Sequence, residues 1–170
     1  MSGDRPASAG STASAGTTGS AGSTEAERMP RRDDYGHIAS FPTRWNDNDV
    51  YGHVNNVVYY AAMDSAVNAW MIAQGLDIEH GDAIGLVVSS SCDYHASGAY
   101  PDVLEVGVRI GRLGSSSVTW ETGIFRASDS ELLATGRFVH VFVDRASRRP
   151  TPVLAPLRAA MERDLIVDPE

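Results

Sequence analysis

A chain of 170 residues and 18.2 kDa has room for one ordinary domain and not for two. Its 42% apolar and 21% charged residues suit a globular protein, and a net charge of -8 argues against a nucleic-acid partner. All fourteen basic residues are arginine, which removes lysine nucleophiles, Schiff-base chemistry and a phosphate-loop lysine. The single cysteine, Cys92, excludes an intrachain disulfide and a multi-cysteine zinc site. No apolar run approaches the ~20 residues of a membrane span, so no membrane partner is expected.

Residues 2–24 are Ser, Ala, Gly and Thr except for Asp4, Arg5 and Pro6. Such a stretch buries nothing large and cannot offset the entropy of ordering its backbone. It also lacks the apolar core of a secretory signal, which points to a cytoplasmic protein. With the charged patch that follows, residues 1–34 are expected to form a disordered tail, and residues 35–170 the single domain.

The first strand is expected from His37 to Trp45, with Pro42 hinting at an edge or a bulge. Residues 46–56, NDNDVYGHVNN, are rich in turn formers. Residues 56–74 then run without Gly or Pro to Gly75, a helix stop. Small residues fall at helical spacing along Val58, Ala62, Ser65 and Ala69, while Tyr59, Tyr60, Met63, Trp70 and Met71 point in other directions. A helix apolar on several sides is one that something wraps.

After Gly75 the apolar period becomes two. Strands are expected over Ile84–Tyr94, Leu104–Ile110, Val118–Ile124 and Leu133–Val143, with a loop at 112–117 and a short closing helix over Leu157–Leu165. One strand, one long helix and four strands predict an α+β domain, a five- or six-stranded antiparallel sheet packed on the helix. Long edge strands would be exposed in a lone copy, so pairing along an edge into a homodimer, or a dimer of dimers, is expected.

The chemistry-bearing stretch is RWNDNDVYGHVNNVVYY, residues 44–60. Asp47 and Asp49 lie just before a helix start, which leaves about four N–H groups unpaired and carries about half a positive charge. Gly52 allows the chain to double back. A carboxylate beside free donors can flank a reacting carbonyl: the donors stabilise its oxyanion, and the carboxylate attacks carbon or deprotonates water. Caps and turn residues have the same composition, so spacing alone does not decide between the two readings. Asp47, Asp49 and His53 could also suggest a metal site, but no further cluster completes a shell, and no metal is expected.

The string RWNDNDVYGHVNNVVYYAAMDSAV resembles the signature of hotdog-fold acyl-CoA thioesterases of the 4-hydroxybenzoyl-CoA thioesterase-like branch. That signature has an Asp, a Gly three residues on, an aromatic at ten and an acid at fifteen, matched here by Asp49, Gly52, Tyr59 and Asp64. The resemblance extends through DYHA (93–96), LGSSSVTWE (113–121) and ATGRFVHVFVDRASRRPTP (134–152), spanning residues 36–165. It implies hydrolysis of an acyl-CoA thioester without a cofactor, with Asp49 as general base or nucleophile and the backbone N–H of Asn56 polarising the carbonyl. It also implies active sites between the subunits of a dimer. Asn55-Asn56 departs from the aromatic or His often found before the tyrosine; a backbone donor tolerates this.

Other residues stay open at this stage. Tyr51, Tyr59 and Trp70 wall an acyl pocket or pack a core, His53 orients Asp49 or lies on the surface, and Asp64 lines the pocket or bonds a neighbour. Arg112, Arg148 and Arg149 suit CoA phosphates or open solvent. Cys92 reads as a strand residue. Two competing functions are a hotdog hydratase or dehydratase, whose Asp–His dyad spacing is not found, and a non-catalytic acyl-CoA-binding protein.

Overall fold

A computed structural model describes residues 28–165. Five strands form one antiparallel sheet in the order β1-β3-β4-β5-β2, where β1 is His37–Pro42, β2 Ala83–Tyr94, β3 Val103–Leu113, β4 Ser117–Arg126 and β5 Leu132–Asp144. Helix α1 is Asn56–Ala73, and α2 is Ala155–Asp164. The α+β order of strand, long helix and four strands is the expected one. Pro42 ends an edge strand, where its missing donor costs no ladder bond. Gly75 follows α1 at φ +93°, the left-handed conformation that ends helices.

The buried stripe of α1 is Tyr59, Ala62, Met63, Ala66, Val67, Trp70 and Met71, spaced three and four apart. This differs from the small-residue row expected from sequence, because the large side chains themselves supply the core-facing surface. Ala62 and Ala66 bring the helix close, and Gly136 of β5 leaves the room that the Met63 sulfur occupies. Inward residues of the sheet complete the core, among them Leu104, Val106, Val108, Trp120, Ile124 and Phe142. Helix α2 adds Leu157 and Met161.

On the other side of the sheet, Tyr35 lies flat over Gly107 and Gly123, where an added Cβ would come within 2.6 and 2.5 Å of the ring or its hydroxyl. The strands extend further than their alternation suggests: β3 runs to Leu113 and β4 starts at Ser117, with a register shift between Ile110 and Arg112. The tail reading falls largely on residues 1–27, outside the described residues. Residues 28–34 contain a 3-10 turn at Arg32–Asp34, and Arg32 bonds Glu105 of β3 at 2.6 Å. Residues 28–34, expected to belong to the tail, are thus tied to the domain through ion pairs that an apolar pattern does not report.

Candidate active site

Between Thr43 and Asn56 the chain folds back on itself before the helix begins. A 3-10 turn, Trp45–Asp47, leads into an antiparallel bridge between Asn48 and Val54. Within it, the Asp49 N–H donates to the His53 carbonyl at 2.9 Å, and the Gly52 N–H to the Asp49 carbonyl at 3.1 Å. Gly52 sits at φ +83°, where a side chain is strained. The Asn55 N–H then donates to the Asp47 carbonyl at 2.9 Å, stitching the mouth of α1 to the turn that carries Asp49.

The two carboxylates of this turn have different surroundings. Asp47 is 3% exposed; it accepts the Arg44 N–H at 2.7 Å and the Arg44 guanidinium at 2.9 and 3.1 Å. The guanidinium bond holds its pKa below the ordinary carboxylate value, against the opposing effect of burial. Asp47 is therefore a fixed, ionised brace. Asp49 is half-buried, and its Oδ1 accepts the Tyr51 N–H at 2.8 Å in an Asx turn. Among the described residues no donor reaches its Oδ2.

At the helix mouth, Asn55 caps α1: its side chain accepts the Val57 N–H at 3.1 Å and its carbonyl the Val58 N–H at 2.8 Å. The Asn56 N–H has no partner among the described residues. One donor thus stays open at the positive end of an 18-residue helix, seven residues after Asp49. An open acceptor and an open donor in one stitched turn can, respectively, attack or deprotonate, and polarise a carbonyl.

Asp49, Tyr51, Gly52, His53 and Asn56 come together in this turn, with Tyr51 82% exposed and His53 also exposed. Tyr59 is instead a core residue. Its hydroxyl accepts the Gly98 N–H at 3.1 Å, its ring meets Tyr94 edge-on at 5.2 Å, and burial raises its pKa. Trp70 packs against Trp120 in the same core. Asp64, two turns along α1, is half-buried and its Oδ1 accepts from the Asn68 side chain at 3.1 Å. Arg112, Arg148 and Arg149 are exposed, and burial raises the pKa of the half-buried Cys92 thiol.

Two residues escaped the sequence reading: Arg44 and His140. Arg44 stands in the entrance string, three residues before the acid it clamps. His140 occupies an inward position of β5 and is 2% exposed; its Nδ1 and the Nε1 of Trp120 are buried without partners among the described residues. The signal for His140 was its place in FVHVFV, where a polar residue interrupts the apolar phase of a strand. A cleft of about 220 Å³, lined by Tyr35, Asp93, Arg109, Glu121 and Arg137, opens elsewhere, at the outer face of the sheet.

Residues 43–161 match the thioesterase-like superfamily, taking in the entrance turn, α1 and every strand after β1. Among solved structures, the PA5185 protein of Pseudomonas aeruginosa strain PAO1 is 52% identical, with a TM-score of 0.77 over 80% of this chain and 96% of that one. The PA2801 protein of Pseudomonas aeruginosa, provisionally named a thioesterase, is 35% identical, with a TM-score of 0.71 over 74% of this chain and 98% of that one. Slr0204 of Synechocystis, a 1,4-dihydroxy-2-naphthoyl-CoA thioesterase, shares the fold at 22% identity and a TM-score of 0.69, over 74% and 95% of the two chains. No curated protein sequence matches the chain.

Proposed function

The chain belongs to the thioesterase-like superfamily, with the hotdog fold of a thioester hydrolase, and from that premise we propose that it is an acyl-CoA thioesterase, releasing free acid and CoA. The observation that carries this reading is the entrance turn: among the described residues, an acceptor oxygen on Asp49 has no donor and a helix N–H on Asn56 has no acceptor. The thioester carbonyl oxygen takes the Asn56 N–H, where the helix terminus stabilises the growing oxyanion. Asp49 Oδ2 either attacks the carbonyl carbon, expelling the CoA thiolate and leaving a mixed anhydride that water then hydrolyses to free acid and Asp49, or takes a proton from the attacking water and passes it to the departing thiolate. Gly52 gives the turn its reversal. Tyr51 and His53 line the mouth, and the acyl group runs along α1 toward Asp64. No cofactor takes part, and the exposed arginines serve the CoA phosphates.

A second copy completes this site. Among the described residues strand β2 is an unpaired edge of 12 residues, and it exposes Leu86, Val87 and Val88, with Val88 at 61%. An edge of that length and apolarity pairs with another chain, and a copy of itself closes the symmetry. Sedimentation of the full chain at twice its mass is the expected result; a monomer at micromolar concentration excludes it. For the chemistry, Asp49→Ala is expected to slow acyl-CoA hydrolysis roughly 10²- to 10⁴-fold with the fold intact, as for a positioned acid–base group. Parental rates on short and aromatic acyl-CoA substrates would sink the assignment. We place the enzyme in the cytoplasm, where acyl-CoA substrates are made and used.

A further inference from the structure

The turn that carries Asp49 is held from outside by the segment between β2 and β3. Gly98, which is buried, stands at its centre. Its carbonyl accepts the Val54 N–H at 2.8 Å, and its own N–H donates to the Tyr59 hydroxyl at 3.1 Å. Val54 and Tyr59 lie on either side of Asn55 and Asn56, so one residue grips the chain before and after the helix mouth. Two residues on, the Tyr100 N–H donates to Asn48 Oδ1 at 3.0 Å. Asn48 and Val54 are the two feet of the bridge from which the Asp49 turn rises.

A connecting segment keeps one orientation only where its own polar groups are tied down. Here one side chain ties them. Arg126, the last residue of β4, donates from Nη2 to the Ser97 carbonyl at 2.7 Å. That carbonyl and the Gly98 N–H belong to one planar peptide and point in opposite directions. Arg126 therefore holds one edge of the plane whose other edge meets Tyr59. Past Gly98, Asp102 Oδ2 accepts both the Ala99 N–H at 3.0 Å and Arg126 Nε at 3.3 Å. The guanidinium is itself anchored in the β4–β5 turn, where Nη1 donates to Asp129 at 2.8 Å and to Glu131 at 2.5 Å.

We propose that Arg126 is a positioning residue for the candidate site: by fixing the Ser97–Gly98 peptide it keeps the Asn56 N–H aimed where the oxyanion forms. The proposal rests on the acyl-CoA reading above. The partners of Arg126 are Ser97, Asp102, Asp129 and Glu131, none of them in the entrance turn, so its effect travels through Gly98. A donor that meets the developing charge more strongly than the ground-state carbonyl acts on kcat and leaves KM nearly as it was. Misplacement of such a donor by about 1 Å costs up to roughly 10²-fold in rate.

The test measures kcat and KM on an acyl-CoA that the parent hydrolyses, and amide exchange in the free protein. Arg126→Gln is expected to lower kcat on the order of 10- to 100-fold and to keep KM within about twofold. Arg109→Ala removes a paired arginine from the outer face and should leave both constants at parental values. A parental kcat in Arg126→Gln overturns the proposal, and so does a loss confined to KM. Tyr59→Phe releases the other edge of the same peptide, so the double variant should be about as slow as the slower single one. Losses that multiply overturn the route through Gly98. Should Arg126→Gln fold poorly, Arg126→Lys replaces it with the same fall in kcat expected, because one ammonium lacks the fork that spans Ser97, Asp102 and Glu131. Independently of turnover, the Val54 amide is expected to exchange faster in Arg126→Gln than in Arg109→Ala. Equal exchange overturns the positioning role. Faster exchange in a protein whose parent hydrolyses no acyl-CoA condemns the acyl-CoA reading and leaves the hold on the turn in place.

Discussion

On the outer face of the sheet Arg32 holds Glu105 at 2.6 Å and Arg109 holds Glu121 at 2.8 Å, with the Arg109 guanidinium also 5.2 Å from the Tyr35 ring centroid. On the helix face, Trp120 Nε1 and His140 Nδ1 are fully buried and hold nothing among the described residues. Exposed charges matched to one another cost little and stabilise little. Orphaned donors in a core cost more, and a fold keeps them where something else uses them. The contrast separates the two faces of the sheet by polar satisfaction, and both orphaned atoms lie in the layer between α1 and the sheet.

That contrast is sharpest at Trp120. Trp120→Ala is expected to cost about 3–5 kcal/mol, since a fully buried indole leaves a cavity between α1 and β4. Trp120→Phe removes the unpaired N–H while keeping an aromatic ring, and should cost no more than about 1.5 kcal/mol. On the outer face Arg109→Ala should stay within about 1 kcal/mol, because its ion pair with Glu121 is a third exposed on both sides. Urea unfolding of the four proteins measures all three differences. A costly Trp120→Phe would show that the indole N–H has a partner after all, and the distinction between the faces would lose its basis.

Local signals carried much of the architecture. Gly75 stopped the helix where its left-handed backbone now stands, and the alternation from Ile84 to Val143 gave four strands in order. The entrance motif located Asp49, Gly52 and Asn56 because they are close in sequence. The rest depends on separations that periodicity does not encode. Tyr35 meets Gly107 and Gly123 across more than seventy residues, and Trp70 meets Trp120 across fifty. The role of Asp47 was half legible: a turn residue by composition, it proves to be a buried acid held by Arg44, because two side chains three apart close over one 3-10 turn.

Asp47 and Asp49 repeat the contrast within a single turn, one carboxylate fully engaged and its neighbour with an oxygen to spare. The Asp47 pKa is depressed, so its ionised form favours the folded state. That contribution is complete above the unfolded carboxylate pKa, about 3.9, and is lost as pH falls through the lower folded value. Asp34, held down to about 2 by Arg28, adds to the same acid limb. Asp47→Asn keeps the shape and removes the charge, at an expected cost of about 1–2 kcal/mol near neutral pH, modest because Arg44 is largely exposed. The stability of the variant should then fall less steeply than that of the parent between pH 4 and pH 2. Thermal melts across that range measure the slope. Equal slopes would mean that Asp47 is no more engaged when folded than when unfolded, and the turn's two acids would no longer be distinguished by their partners. Hydrolysis by this variant should drop less than in Asp49→Ala, since it loosens the frame around the reacting groups and leaves both of them in place.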